Sequence, residues 1–354
     1  MDSKDGSTDL GISSYEEDRD LWLDGFASLF GFGWLAERLP ADLPPSYLYA
    51  VVTVVGSNVL TITYNLANGV PLIYRTNPYF VLQPFVLFAA VYGARTLQAE
   101  YDRVMAEMAI AERADDPGSL LDPVPSWLPW VLFGVGAALQ LTRAVLDMGG
   151  WGVTDIFANF VLFPFVFLPI VVQFFTVYVS IEFLAPWQLS KSTVGIHFLD
   201  PEGVGGLRPL GELIKKAYYY VVVGLVGYAL ITYAPFVDTS WRVSAAAGAI
   251  FTAVWVGTVA TVAFAVFTLH RFMHHEKRSE IQRLEREIRE RIENPWDVKN
   301  YEIPDEDREE VEDLRERIQQ VSATSEYPAT FSIWSQLLLS IAIPKAIQLV
   351  LASA

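Results

Sequence analysis

Seven long apolar stretches divide the chain, and polar segments separate them. They cover residues 46–67, 78–98, 126–147, 153–186, 217–237, 242–272 and 330–352. A helix of about 20 residues crosses a hydrocarbon core of roughly 30 Å, so each stretch is long enough to span a membrane. Backbone groups in lipid must bond within the chain, and runs of this length do so as helices. The pattern therefore predicts an all-α polytopic membrane protein with seven transmembrane helices.

Arginine and lysine residues indicate how these helices are oriented. The connections after the second, fourth and sixth stretches are basic: they carry Arg95, Arg103 and Arg113, then Lys191, Arg208, Lys215 and Lys216, then the segment from Arg271. Of the three connections on the opposite side, the first carries Arg75, the second carries no basic residue and the third carries Arg242. Because basic loops stay in the cytoplasm, we expect a multi-pass protein of the cell membrane with a cytoplasmic N-terminus. Its C-terminus, Ala354, is then predicted to be extracellular.

The fourth and sixth helices are longer than a bilayer requires. Helix-compatible sequence runs from residue 153 to 189 and from residue 241 to Asn294, so both helices are predicted to project into the cytoplasm. A further helix after Pro304 completes a cytoplasmic hairpin over residues 273–327. Each hairpin helix carries an apolar stripe at helical spacing, formed by Ile281, Leu284 and Ile288 and by Val311, Leu314 and Ile318. The stripes either anchor an oligomer or close a plain antiparallel hairpin.

Composition narrows the class of protein. The chain is 52% hydrophobic and its mean hydropathy is +0.30, which excludes an ordinary soluble domain. Its 41 acidic and 25 basic residues give a net charge of −16, which excludes a nucleic-acid binder. It has no cysteine, so disulfides and thiolate metal sites are excluded. The acidic extramembrane surface is typical of a salt-rich cytoplasm.

These patterns divide the chain into four parts. Residues 1–42 are predicted to form an acidic cytoplasmic tail with a short interfacial helix, and residues 43–272 a six-helix transmembrane bundle. Residues 273–327 form the cytoplasmic hairpin, and residues 328–354 the C-terminal transmembrane helix.

The C-terminal helix carries a mildly polar face. Ser332, Ser335, Gln336 and Ser340 lie within about 140° of one another at 100° per residue, on an otherwise apolar span. Such a stripe lines water in a pore, or it bonds to a neighbouring helix. Both interpretations stay open from the pattern alone.

The layout of the chain resembles the seven-transmembrane ion channel superfamily, which includes the insect odorant and gustatory receptors. Gustatory receptors carry a Thr-Tyr, five hydrophobic residues and Gln-Phe in the last helix. This chain has Thr330-Phe331, four intervening residues and Gln336-Leu337, one residue shorter and with both aromatic positions changed. Together with the acidic, cysteine-free composition, the resemblance implies a halophilic archaeal member of that superfamily.

The resemblance to this superfamily implies a function. Members of the superfamily form tetramers whose cytoplasmic extensions meet in a central anchor, and the last helix of each subunit lines one cation-conducting pore. Only Thr330, Phe331, Gln336 and Leu337 map onto the motif, and Gln336 is expected to face the pore. Insect members bind ligands in the outer half of the first six helices. The expected partners are therefore the lipid bilayer, further copies of the chain and an unknown small-molecule ligand.

Polar residues recur in the predicted outer half of the bundle. They are Asn58, Gln83, Gln140, Arg143, Asp147, Asp155 and Asn159. Membrane-embedded polar groups are costly, so they normally face the bundle interior or water. The set predicts either a polar ligand pocket or an ion pair of Arg143 with Asp147 or Asp155 that fixes helix packing.

Other function classes have weaker support. The sequence contains no serine–histidine–acid set, nucleotide loop or metal cluster, so we expect neither an enzyme nor a cofactor. His270 and His274 are one turn apart and could share a metal, although a basic anchor at the membrane edge fits them better. A secondary carrier is the alternative to a channel, with Pro164 and Pro169 as its best sign of a broken helix. A membrane scaffold whose hairpin binds partners is the third possibility.

Overall fold

The computed structural model describes residues 21–40, 43–147, 156–234, 245–292 and 303–327, and the single positions 237, 342 and 346. Every regular element in these ranges is a helix, and they contain no strand. Six helices are long and apolar enough to cross a membrane. The prediction of a helical multi-pass membrane protein is therefore confirmed. The seventh apolar stretch and the first twenty residues lie outside the described residues.

The six spans follow the hydrophobic pattern closely. They are Pro45–Ala67, Pro78–Glu107, Leu128–Leu146, Ala158–Leu189, Arg208–Tyr233 and Ala245–Arg291. The fifth begins earlier than predicted, because a charged turn from Arg208 to Lys216 precedes its apolar part. Pro209 suits this first turn, where a backbone N–H has no helical partner. Hydropathy alone does not detect such a turn.

One end of the bundle carries the extensions of the long helices. The fourth span is 32 residues and the sixth 47 residues long, about 48 Å and about 70 Å at 1.5 Å per residue. A shorter helix, Arg308–Ala323, packs along the extension of the sixth. We call this helix the hairpin helix and this end of the bundle the hairpin end.

The second and fifth spans pack closely through glycines. A Cβ atom added to Gly93 would lie 2.8 Å from the Tyr220 ring, and one added to Gly227 would lie 2.6 Å from Val86. Small residues let helix backbones approach in a membrane, where packing replaces the hydrophobic effect between helices. This contact positions the centre of the bundle.

The fourth span departs from α-helical geometry. It contains π-helical segments at Ala158–Phe167 and Ser180–Leu184, and both lie just before or around prolines. Pro169 has no N–H to offer the carbonyl of Phe165 four residues earlier, and the Tyr49 hydroxyl donates a hydrogen bond to that carbonyl instead. Proline and π-turns are common causes of irregular helices. At the predicted break, the helix therefore changes its winding, and the Tyr49 hydroxyl replaces the backbone hydrogen bond that Pro169 cannot donate.

Two short helices before the first span, Trp22–Leu29 and Phe32–Arg38, attach to the hairpin end of the bundle. Asp24 is buried and accepts hydrogen bonds from the backbone N–H groups of Leu21 at 3.0 Å and Ser46 at 2.9 Å. Arg95 of the second span forms an ion pair with it at 2.6 Å. Every oxygen of this carboxylate is therefore engaged, and the N-terminal helices are fixed to the bundle.

Replacing Gly227 by Leu should lower the free energy of unfolding by about 1–3 kcal/mol, because the added side chain meets Val86. Thermal unfolding in detergent measures this loss. Gly224→Leu is the matched control, since a Cβ there has no atom within 4 Å. Equal destabilisation by the two variants would show that the close contact is not the reason.

Asp24→Ala should cost about 3 kcal/mol of unfolding free energy, because it leaves the Arg95 charge buried without its partner. Hydrogen exchange of residues 21–40 should rise with it. Arg103→Ala is the control: its pair with Glu100 is exposed, and such pairs contribute less than about 1 kcal/mol. Unchanged exchange in Asp24→Ala would contradict a locking role for this carboxylate.

Candidate functional site

A cavity of about 160 Å³ lies at the end of the bundle opposite the hairpin. Its walls come from the first, second and fourth spans and from the connection between the first two. Its polar lining residues are Ser57, Asn58, Thr61, Asn65, Tyr74 and Gln83, and the remainder is apolar, with Phe80, Leu162 and Phe167 among it. The site is therefore mixed in polarity, as small-molecule sites usually are.

Asn58 is held in place at the cavity wall. Its side-chain amide donates to the carbonyl of Val54 at 2.8 Å, and its side-chain oxygen accepts a hydrogen bond from the Tyr74 hydroxyl at 2.5 Å. Tyr74 lies in a short helix, Ile73–Thr76, between the first two spans. The tyrosine thus ties this connection to the first span and closes one side of the cavity.

A second tie holds the same connection from the other side. The side chain of Asn77 is fully buried, accepts from the backbone N–H of Tyr79 and donates to the carbonyl of Ile231 at 2.7 Å. Ile231 lies in the last turn of the fifth span, where carbonyls lack helical partners. Asn77 and Tyr74 were not predicted from the sequence, although an Asn-Pro pair between two spans is a recognisable turn signal.

The seven predicted ligand-binding residues do not form one pocket. Asn58 and Gln83 line the cavity. Gln140 is buried between the third and fourth spans, where its amide donates to the side-chain oxygen of Asn159 at 2.8 Å. Arg143 is half-buried on the third span. Asp155 and the side chain of Asp147 lie outside the described residues, so the proposed ion pairs stay predictions.

The Gln140–Asn159 contact supports the packing interpretation for that part of the set. The amide of Gln140 and the side-chain oxygen of Asn159 bond to each other across two spans, as polar groups that fix helix packing do. Hydropathy did not show how each helix is rotated about its axis.

The predicted anchor residues mostly bury one another within one chain. Leu284, Val311 and Leu314 are at most 5% exposed, and Ile281, Ile288 and Ile318 pack on the same cluster. Phe198 of the connection between the fourth and fifth spans joins them. This arrangement is the plain hairpin that the sequence left open, and contact of the stripes with other subunits stays a prediction.

The four predicted pore residues, Ser332, Ser335, Gln336 and Ser340, lie outside the described residues. The structure does describe residues 322–327, which precede the seventh apolar stretch and contact the sixth span. His274 donates from Nδ1 to the carboxylate of Glu326 at 3.1 Å, and His270 Nδ1 bonds to the Glu326 carbonyl at 2.9 Å. The Tyr327 ring stacks on His270 with centroids 4.4 Å apart. We call these contacts the clamp.

Lys277 completes the clamp. Its ammonium group donates to the carbonyls of Ser322 and Thr324, each at 2.8 Å, and lies 3.7 Å from the Glu326 carboxylate. The two carbonyls belong to the end of the hairpin helix, where such groups lack helical partners. These basic residues therefore bond to residues 322–326, which precede the seventh apolar stretch, and a position at the membrane edge stays a prediction.

The clamp shifts the titration of its carboxylate. Partial burial acts to raise the pKa of Glu326, but the hydrogen bond from His274 and the charges of His274, Lys277 and His270 outweigh it. The pKa of Glu326 therefore lies below its ordinary value. The sequence gave little indication of these contacts, because the residues after the hairpin helix have no periodicity from which their partners could be predicted.

Comparison of the chain with models of known protein families, with curated proteins and with solved structures finds no match.

The clamp should weaken at low pH. Because folding lowers the pKa of Glu326, its stabilising effect is present above the unfolded value of about 4.3 and is lost as pH falls through the lower folded value. Glu326→Gln at pH 7 should therefore behave like the acidified protein. We expect the amides of residues 318–327 to exchange about two- to five-fold faster, as suits a partly exposed pair.

Hydrogen exchange followed by mass spectrometry, corrected for the intrinsic rate at each pH, measures this change. Glu312→Gln is the control, because Glu312 is exposed on the hairpin helix and has no contact in the clamp. If Glu326→Gln and Glu312→Gln exchange alike, the carboxylate does not hold this segment.

Proposed function

We propose that the protein is a subunit of a homo-oligomeric cation channel, a tetramer by resemblance, in which residues 330–352 form a seventh span and line the pathway. The hairpin end is cytoplasmic in this proposal, together with the N-terminus, and the C-terminus is extracellular. The protein would then be a chemoreceptor-like channel of a halophilic archaeal cell membrane. A small molecule at the opposite end of the bundle would gate it.

The observation that carries the proposal is the clamp. His270 lies about 38 Å along the sixth helix from Ala245, close to the depth at which a helix leaves a core of roughly 30 Å. Tyr327 stacks on this histidine, so the apolar stretch that follows starts at the membrane edge. A helix that starts there and continues for more than 20 apolar residues crosses toward the opposite end.

The charge distribution supports the orientation. The hairpin end gathers basic residues from separate connections: Lys216 pairs with Glu100 at 2.6 Å, Lys215 pairs with Glu212 at 2.5 Å, and Arg113 donates to the carbonyl of Gly195. Basic residues near the ends of spans favour the cytoplasmic side. The sequence pattern from which the orientation was predicted is thus concentrated at one end of a single bundle.

The cavity supports ligand gating by a small, neutral molecule. Its volume of about 160 Å³ is below the roughly 300–1,000 Å³ of sites for drug-sized ligands. Asn65 and Gln83 offer amides beside Asn58, which is bonded to Val54 and Tyr74, and none of the polar lining residues carries a charge. A ligand with one or two hydrogen-bonding groups and an apolar body fits this chemistry.

A secondary carrier is the second candidate, and the irregular fourth span favours it. Substrate sites of carriers are often built at interrupted helices near mid-membrane, and this span is π-helical around Pro164. A carrier would show saturable flux without single-channel steps. A scaffold has less support, because the apolar stripes of the hairpin pack on each other within the chain.

Gln336→Leu tests the channel directly. If Gln336 faces the pathway, the variant should change single-channel conductance or ion selectivity in planar bilayers, because a polar wall group becomes apolar. Assembly should stay intact, as checked by the size of the purified particle. Leu338→Ile is the control on the far side of the same predicted helix. Identical currents from Gln336→Leu and the unmodified protein would contradict a pore-lining role.

A further inference from the structure

A carboxylate lies unpaired inside the bundle. Glu182 belongs to the π-helical segment Ser180–Leu184 of the fourth span and is 0% exposed. Neither of its carboxylate oxygens has a hydrogen-bond partner among the described residues. Polar groups inside proteins are nearly always satisfied, so an exception of this kind calls for an explanation such as a bound ion or proton.

Two buried tyrosines lie in the same part of the bundle. Tyr178 is one turn earlier on the same span, and Tyr218 belongs to the fifth span, which packs on the segment that carries Glu182. The hydroxyl of Tyr218 has no partner either. That of Tyr178 lies 2.9 Å from the Thr261 hydroxyl of the sixth span. Three spans therefore contribute oxygen atoms to one buried region.

The local winding of the helix places Glu182 there. Pro186 has no N–H, so the carbonyl of Glu182 loses the donor that an α-helix would provide four residues later. The segment is π-helical instead, and such turns occur mostly at functional sites. The sequence conceals this residue, because it is the one acid between Asp155 and Asp200 and lies in a long apolar run.

Asp24 shows how this chain stabilises a buried carboxylate when no ligand is involved. It receives two backbone N–H groups and the guanidinium of Arg95. Glu182 receives none of these, and no cationic side chain of the described residues pairs with it. Burying an unneutralised charge is prohibitively costly, and the described residues supply no positive charge to this carboxylate.

We propose that Glu182, with Tyr178 and Tyr218, forms a binding site for one monovalent positive charge, either a proton or Na⁺. Carboxylate and hydroxyl oxygens are hard donors that suit both. One positive charge neutralises the site, whereas a divalent ion would leave a net charge of +1. Anions are excluded by the carboxylate itself. None of these three residues belongs to residues 330–352, so the proposal stands or falls independently of the proposed pathway.

The experiment uses the full-length purified protein in detergent at constant ionic strength, with Na⁺ exchanged for choline. Thermal unfolding reports Na⁺ binding, and infrared difference spectra report whether a neutral carboxylic acid is present. Glu182→Gln removes the charge and keeps the shape, and Glu312→Gln is the control for loss of an exposed carboxylate. Tyr218→Phe removes one unpaired oxygen and serves if Glu182→Gln does not fold.

Each source of charge gives its own result. With Na⁺, the melting temperature rises by about 2 °C for each tenfold increase in Na⁺ above the dissociation constant. That rise disappears in Glu182→Gln, and Tyr218→Phe shifts it to several-fold higher Na⁺. With a proton, stability does not depend on Na⁺. A carboxylic acid band is then present that Glu182→Gln removes and Tyr218→Phe shifts.

The proposal is overturned if the unmodified protein shows neither a dependence of its stability on Na⁺ nor a buried carboxylic acid band. Glu182 would then be an ionised carboxylate without a bound cation.

Discussion

Every polar backbone group inside a hydrocarbon core has to bond within the chain, and the described structure depends on this constraint. For this reason each span is a helix, and a carbonyl that loses its donor to a proline needs another partner. The Tyr49 hydroxyl bonds to the carbonyl that Pro169 cannot serve, and the Asn77 amide bonds to the carbonyl of Ile231 at the end of the fifth span. Beyond the apolar part of the sixth span, Lys277 and His270 bond to carbonyls of residues 322–326.

Two buried carboxylates show different uses of charge in one bundle. Asp24 is fully bonded, and it fixes two short helices against the second span. Glu182 is equally buried and has no bond among the described residues. Because a buried charge needs a partner, Asp24 has a structural role and Glu182 is the proposed site of an exchangeable proton or cation. In membrane proteins, groups of the second kind are the usual markers of ion pathways.

The spans could be predicted from hydropathy to within a few residues at most ends, because burial in lipid requires long apolar runs. The sequence did not reveal the rotation of each helix. Gln140 and Asn159 were expected beside Asn58, yet they bond to each other between different spans. The clamp and Glu182 were missed for related reasons: Glu326 lies in a segment without periodicity, and Glu182 is hidden within an apolar run. Side-chain partners across helices are set by packing, which a single sequence does not contain.

The central claim is that several copies of the chain surround a pathway with their last helices. An electron cryo-microscopy reconstruction of the purified full-length particle at modest resolution tests it most directly. We predict a ring of four subunits with residues 330–352 next to the symmetry axis and the hairpins together on one side of the membrane. A single isolated subunit, or a last helix at the lipid-facing rim, would contradict the claim.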